Sequence, residues 1–185
     1  MFVDACKKVV AANMRFVPPY GTGASLYLRP LVIGTGARVG LGPADEYIFV
    51  IFVTPVGPYY KGGIHPVKAI IALDYDRAAP DGIGDCKVGG NYAAGLAGDR
   101  WGHDKGYSVV LYLDSREKRY IDDFSTSNFI GIKGNSYVTP KSKSILPSIT
   151  NMSLSQIAQD MGFKVERRPV DVAELPEFNE IGAVG

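Results

Sequence analysis

The 185-residue chain carries only two cysteines, Cys6 and Cys86. That is too few for a disulfide framework and points to a reducing compartment. An excess of one charge is also missing: 20 Lys and Arg face 19 Asp and Glu, for a formal net charge of +1. Nucleic acid and anionic membrane surfaces are therefore not expected as partners, because they need a clustered basic excess. Long apolar runs are absent too. The longest, around Tyr47–Val53, suits a buried strand and falls well short of the roughly 18 residues of a membrane span. Lys7 and Lys8 interrupt the first apolar stretch, which argues against a secretion signal. A soluble, cytoplasmic protein is expected, with one domain or one and a half.

Familiar short motifs are scarce as well. There is no GxxxxGK[ST] phosphate loop, and GTGARVG at Gly34–Gly40 misses GxGxxG by one residue. His65 and His103 have no carboxylate or cysteine at metal-ligand spacing, so both are read as surface or structural histidines and no metal is expected. Asn151-Met152-Ser153 is formally a glycosylation sequon, without meaning in a chain that lacks a signal peptide.

What is present is an ordinary globular composition, 46% hydrophobic and 21% charged. Val3, Cys6, Val9, Val10 and Met14 recur at helical spacing over Val3–Phe16, and Pro18 and Pro19 would stop that helix. Leu26–Ile33 and Glu46–Val56 read as strands. Thr54–Pro66 holds three prolines and three glycines and reads as an interdomain connection. Beyond it, strands are expected at Val67–Leu73, Tyr107–Asp114, Arg119–Asp123, Asn128–Lys133, Ser136–Thr139 and Lys164–Pro169. Helices are expected at Tyr92–Gly102, at Asn151–Met161 behind Thr150, Asn151 and a Ser153-x-x-Gln156 capping pattern, and at Val172–Asn179. The class is α+β. The tail EIGAVG is expected to stop without a terminating element, and an incomplete polypeptide is expected.

Three segments carry candidate chemistry. Lys87 sits in GIGDCKVGGNY, flanked by Gly82, Gly84, Gly89 and Gly90. Glycines let a planar ligand approach the backbone, and a partly desolvated lysine there can lose its proton and attack an aldehyde. The same window also suits a surface turn with a solvated lysine. ILPSIT at Ile145–Thr150 leads into a helix, so amides near Ser148–Thr150 offer a seat for an anion such as phosphate; capping by Thr150 is the plainer reading. Asp122 and Asp123 supply carboxylates at a strand end. Buried, one could hold a pyridine nitrogen protonated; exposed, they are turn acids. Together these match what pyridoxal phosphate requires.

GDCKVGGNYAAGL, with YLRPLVIG upstream and SILPSIT downstream, resembles the branched-chain amino acid aminotransferases of the fold-type IV pyridoxal-phosphate enzymes. The matches keep their order from about Val3 to Gly185. The resemblance implies the remainder of a small α/β domain over 1–56, a connection over 57–66 and a truncated, pseudo-barrel cofactor domain over 67–185. It implies that Lys87 forms the internal aldimine and shuttles a proton, that Tyr92 bonds the cofactor's phenolic oxygen, and that Ile149 and Thr150 bind its phosphate. Leu146 would pack on the ring, Thr126 and Asn128 would line the pocket, and Arg77 would lie near the phosphate. Tyr27 and Arg29 would face the substrate, Arg29 pairing the distal carboxylate of glutamate, and Tyr59 would belong to a lid.

The implied reaction moves an amino group between leucine, isoleucine or valine and 2-oxoglutarate, in a homodimer. Two departures stand out. Asp123 replaces the family's glutamate, leaving its carboxylate about 1.5 Å short, and Ser125 replaces a glycine. The family also continues past GAVG into a Gly-Thr-Ala turn and carries a further phosphate-binding arginine upstream, so little turnover is expected of this chain by itself. Two other readings are a non-catalytic remnant that partners an intact subunit, and a fold-type IV relative such as a D-amino acid aminotransferase or aminodeoxychorismate lyase.

Overall fold

A computed structural model describes residues 1–58 and 62–185. They divide into two compact units, Met1–His65 and Pro66–Gly185. Tyr59, expected in a lid, lies outside the described residues.

In the first unit, helix α1 spans Phe2–Ala12, and strands β1 (Ser25–Thr35) and β2 (Glu46–Val56) pair antiparallel along their full length. The helix is shorter than expected from Val3–Phe16. It ends not at the prolines but at Asn13, whose side-chain amide donates to Val9 O at 2.8 Å, and a 3₁₀ turn follows at Met14–Phe16. An asparagine side chain that takes a backbone carbonyl competes with the helix ladder in this way. Phe2 of α1 meets Phe49 of β2 with ring centroids 6.1 Å apart. Pro30 is accommodated inside β1 because a two-stranded ribbon leaves half its amide positions unpaired.

The second unit is built on a seven-stranded sheet. Its strands are β3 (Ala69–Ala72), β4 (Val109–Leu113), β5 (Ile121–Phe124), β6 (Asn128–Lys133), β7 (Ser136–Pro140), β8 (Lys164–Arg168) and β9 (Glu180–Val184). Two pairs are parallel, β3 with β4 and β7 with β8, and parallel neighbours need a crossover. Helix α2 (Gly89–Asp104) supplies the first and helix α3 (Ile149–Asp160) the second. In both, the loop leaving the first strand runs straight into a helix N-terminus. This is the local reason why the Lys87 window and the ILPSIT window are both loop-to-helix junctions.

Helix α2 begins three residues before the expected Tyr92, taking Gly89, Gly90 and Asn91 into its first turn. Its inner glycines are forced by packing: a Cβ on Gly98 would strike the Tyr112 hydroxyl, and one on Gly102 would strike Val110. Tyr112 Oη donates to Gly95 O at 3.1 Å and meets Asp99 Oδ1 at 3.0 Å, which binds the helix to β4.

Alternation along β4 feeds two cores. Leu111 and Leu113 join Ile121, Phe124, Phe129, Val138 and Val170 on one face. Val110 and Tyr112 join Ala72 on the other. The tail also departs from expectation. Glu180–Val184 is strand β9, antiparallel to β6 over Asn128–Ile132, because Asn128–Lys133 offers a second edge that the backbone of EIGAV completes. Among the described residues no helix is long and apolar enough to cross a membrane.

Candidate active site

A cavity of about 270 Å³ opens in the second unit where the two crossover loops meet the start of β6. Nine of the site residues that the resemblance implies line it: Arg77, Lys87, Tyr92, Asp123, Thr126, Asn128, Leu146, Ile149 and Thr150.

Lys87 closes the β3–α2 loop, two residues before the helix. The loop is held from inside the helix, since Asn91 Nδ2 donates to both Ile83 O (2.6 Å) and Cys86 O (2.8 Å). Tyr92, on the first turn of α2, brings its hydroxyl to 2.5 Å from Lys87 Nζ, and the ammonium lies 5.0 Å from the ring centroid. Lys87 itself is exposed, as in the surface-turn reading of its glycine-rich window and unlike the partly desolvated one. Glycines remove side chains that would otherwise cover it.

The opposite wall is dry. Asp122 and Asp123 are each 4% exposed, so they are not turn acids. They lie on successive residues of β5 and so face opposite ways; Asp123 lines the cavity. Asp123 Oδ1 accepts from Asn128 Nδ2 at 3.0 Å, and Oδ2 lies 3.6 Å from an Arg77 guanidinium nitrogen. Burial dominates the balance and pushes the Asp123 carboxyl up to about 7, with Arg77 and then Asn128 pulling it down. Burial also pushes Asp122 up, and Asp122 Oδ1 has no partner among the described residues. Arg77 is 9% exposed and donates to Ser144 O. The guanidinium thus meets Asp123 and the Ser144 carbonyl, while Arg77 Nε has no partner among the described residues.

The third wall is the start of α3. The cap is Ser148, whose Oγ accepts from Asn151 N at 3.2 Å, and not Thr150 or Asn151. The Ser153-x-x-Gln156 pattern lies inside the helix, where Ser153 Oγ donates back to Ile149 O and Gln156 donates to Asp160. With Asn151 N on the cap and Met152 N on Ser148 O, the amides of Ile149 and Thr150 have no protein acceptor among the described residues. They stand at the positive end of the helix. Leu146 is half-buried just before this turn, its carbonyl accepting from Asn128 Nδ2 at 3.1 Å.

Tyr27 and Arg29 lie on β1 of the first unit, on one face of the ribbon, both exposed. The Arg29 guanidinium carbon is 5.0 Å from the Tyr27 ring centroid. Sequence reasoning missed Asn91, the capping role of Ser148, and the chain's last two residues, Val184 at the end of β9 and Gly185 after it, which reach the cavity. For Ser148 the signal was its position, three residues before the amide it caps.

The profile of the family described as Amino-transferase class IV matches residues 3–185. The chain belongs to this family. Within it, the chain is 49% identical over its whole length to branched-chain-amino-acid aminotransferase 5, chloroplastic, of Arabidopsis thaliana, covering 44% of that protein. It is 46% identical to the branched-chain-amino-acid aminotransferase of Helicobacter pylori, covering 55% of it. The chain thus spans about half the length of the curated relatives it matches. Among solved structures, the Escherichia coli branched-chain amino acid aminotransferase superposes on all of the chain with a TM-score of 0.82 at 25% identity, over 59% of its own length. The T.th. branched-chain amino acid aminotransferase with pyridoxamine 5′-phosphate shares the fold, with a TM-score of 0.78 at 23% identity over 97% of the chain and 56% of that structure. The fold is that of the fold-type IV aminotransferases.

Proposed function

We propose that this cavity seats pyridoxal 5′-phosphate, and that the chain serves the transfer of an amino group between branched-chain L-amino acids and 2-oxoglutarate. The observation that carries this reading is the meeting on one cavity of an amine, a buried acid and a helix start whose first two amides have no acceptor among the described residues. The donor set fits the group: Lys87 for its aldehyde, Tyr92 for its phenolic oxygen, Asp123 for its ring nitrogen, and the Ile149 and Thr150 amides with the Thr150 hydroxyl for its phosphate. The pyridoxamine 5′-phosphate named with the T.th. neighbour and the names of the relatives support the same group and the same amino acids.

Bound there, pyridoxal phosphate supplies an electron-poor ring that accepts the electron pair left when the substrate Cα–H bond breaks. Lys87 Nζ would hold the group through its aldehyde and would serve as the base that carries the substrate Cα proton. Its exposure gives that amine the freedom to swing. Tyr92 Oη orients the amine and donates to the phenolic oxygen. Asp123, raised by burial, gains by pairing with a cation, and a protonated ring nitrogen provides one. Leu146 excludes water from the ring face, while Thr126 and Asn128 complete the pocket wall. Tyr27 and Arg29, on the first unit, are the candidate substrate residues by their chemistry, an aromatic ring suiting an aliphatic side chain and a guanidinium suiting the distal carboxylate of glutamate. The working assembly is a cytoplasmic homodimer.

The test is a half-reaction. Protein loaded with pyridoxal phosphate is mixed with L-leucine, and the absorbance of the aldehyde form and the appearance of 4-methyl-2-oxopentanoate are followed, with D-alanine in parallel. Conversion with L-leucine supports the assignment. Conversion with D-alanine alone would place the chain with a different reaction of the same fold.

A further inference from the structure

Asn151 is the sequon asparagine, yet it is 2% exposed, so no modifying enzyme reaches it in the folded chain. Its side chain spends every polar atom inward. Tyr137 Oη donates to Asn151 Oδ1 at 2.8 Å. Asn151 Nδ2 donates to Thr139 Oγ1 at 2.8 Å and reaches Asn128 Oδ1 at 3.4 Å. The orientation of both amides follows from their neighbours. Thr139 gives its hydroxyl proton to Phe129 O at 3.0 Å, so Oγ1 can only accept there, which fixes Nδ2 of Asn151. Asn128 Nδ2 faces the Leu146 carbonyl and Asp123 Oδ1, both acceptors, which leaves Oδ1 of Asn128 to receive Asn151.

The result is a continuous buried chain of contacts from one wall of the cavity to another. At one end the backbone amide of Asn151 is bound by Ser148, the cap of α3. At the other, Asn128 holds the carboxyl of Asp123 and the Leu146 carbonyl together. Resting on the cofactor reading above, we propose that Asn151 is a positioning residue that locks the start of α3 to Asp123, so that the phosphate seat and the ring-nitrogen partner are set at one fixed separation. A leucine at 151 would match the volume but strand Tyr137, Thr139 and Asn128 without their partner. Asn128 would then grip Asp123 less firmly. Asn128 is one of the groups that hold the Asp123 carboxyl down, so a looser grip moves its titration upward. Arg77 and Asp122, the charged groups nearest that carboxyl, are left in place.

The experiment uses protein without cofactor, so that it succeeds or fails independently of the cofactor reading. Wild type, Asn151→Leu and Val110→Ala are compared for three quantities: the Asp123 titration midpoint by carboxyl ¹³C NMR, the affinity for inorganic phosphate, and Tm. Val110→Ala empties part of the other core, which shares no contact with Asn151, and leaves the path from Ser148 through Asn151 and Asn128 to Asp123. The expectation is that both variants lower Tm, while Asn151→Leu alone raises the midpoint by about half a pH unit or more and weakens phosphate about tenfold. Equal shifts in both variants, or a fall in Tm with neither quantity moved by Asn151→Leu, would overturn the positioning role. Should Asn151→Leu not fold, Asn151→Ser, whose smaller side chain admits a water, gives the same readout. A wild type that takes no phosphate, with the midpoint still shifted in Asn151→Leu, would uphold the hold on Asp123 and count against the phosphate seat of the proposed function.

Discussion

Lys87 and Asp123 line one cavity and are held by opposite means. Lys87 is exposed, at the end of a glycine-rich loop, with its amine directed at Tyr92. Asp123 is 4% exposed and gripped by Arg77 and Asn128, with Asn151 and the Ser144 and Leu146 carbonyls behind them. The difference matches the work each group would do. An amine that must bond, release and carry a proton needs rotational freedom, so its surroundings are stripped of side chains. An acid that must keep one ring nitrogen protonated needs a dry, fixed position, and the low-dielectric wall strengthens its pairing with a cation.

The contrast can be broken most strongly at the amine. Lys87→Ala is expected to abolish the covalent cofactor band in the visible spectrum while leaving stability within about 1 kcal/mol of wild type, since an exposed side chain is removed. At the acid, Asp123→Asn keeps the shape and the contact to Asn128. It is expected to retain the band but slow the L-leucine half-reaction on the order of 100-fold, read by stopped-flow absorbance.

The same acid ties stability to pH. The Asp123 carboxyl is raised in the fold to about 7 from its ordinary value of 3.8, so the folded chain holds a proton there that the unfolded chain has released. Its contribution is fully present below about pH 4 and is lost as pH rises through about 7. Urea denaturation of cofactor-free protein should show stability falling between those limits, by on the order of 1 kcal/mol per pH unit. Asp123→Asn should flatten that slope. A smaller effect is expected on the loop side. Asn91→Ala loses the two bonds to Ile83 O and Cys86 O and should cost about 1–2 kcal/mol while raising hydrogen exchange in Ile83–Val88. The smallest is Ser148→Ala, about 1 kcal/mol from the lost cap, seen in Tm.

Local junctions were legible in the sequence. The Gly-Gly-Asn-Tyr run after Lys87 and the ILPSIT run before α3 each combine a turn signal with a helix start, and both kinds of information sit within a few residues. Strands Glu46–Val56 and Asn128–Lys133 were read to the residue for the same reason. What depends on distant partners was not legible. Which of Asp122 and Asp123 turns inward is set by the register of β5 against β6, and only the resemblance to a family chose between them. Strand β9 exists because β6 offers it an edge, which five residues of mixed polarity could not announce. Asn151 looked like a helix-start signal or a sequon, and its partners lie 12 to 23 positions away.

The most direct test of the shared cavity is to incubate the protein with pyridoxal phosphate, reduce with borohydride and map the modified peptide by mass spectrometry, in wild type and in Asp123→Ala. The account predicts one label, on Lys87, at a cofactor concentration that rises when Asp123 is removed, because amine and acid grip the same ring. Labels scattered over surface lysines, or a Lys87 label indifferent to Asp123, would contradict it.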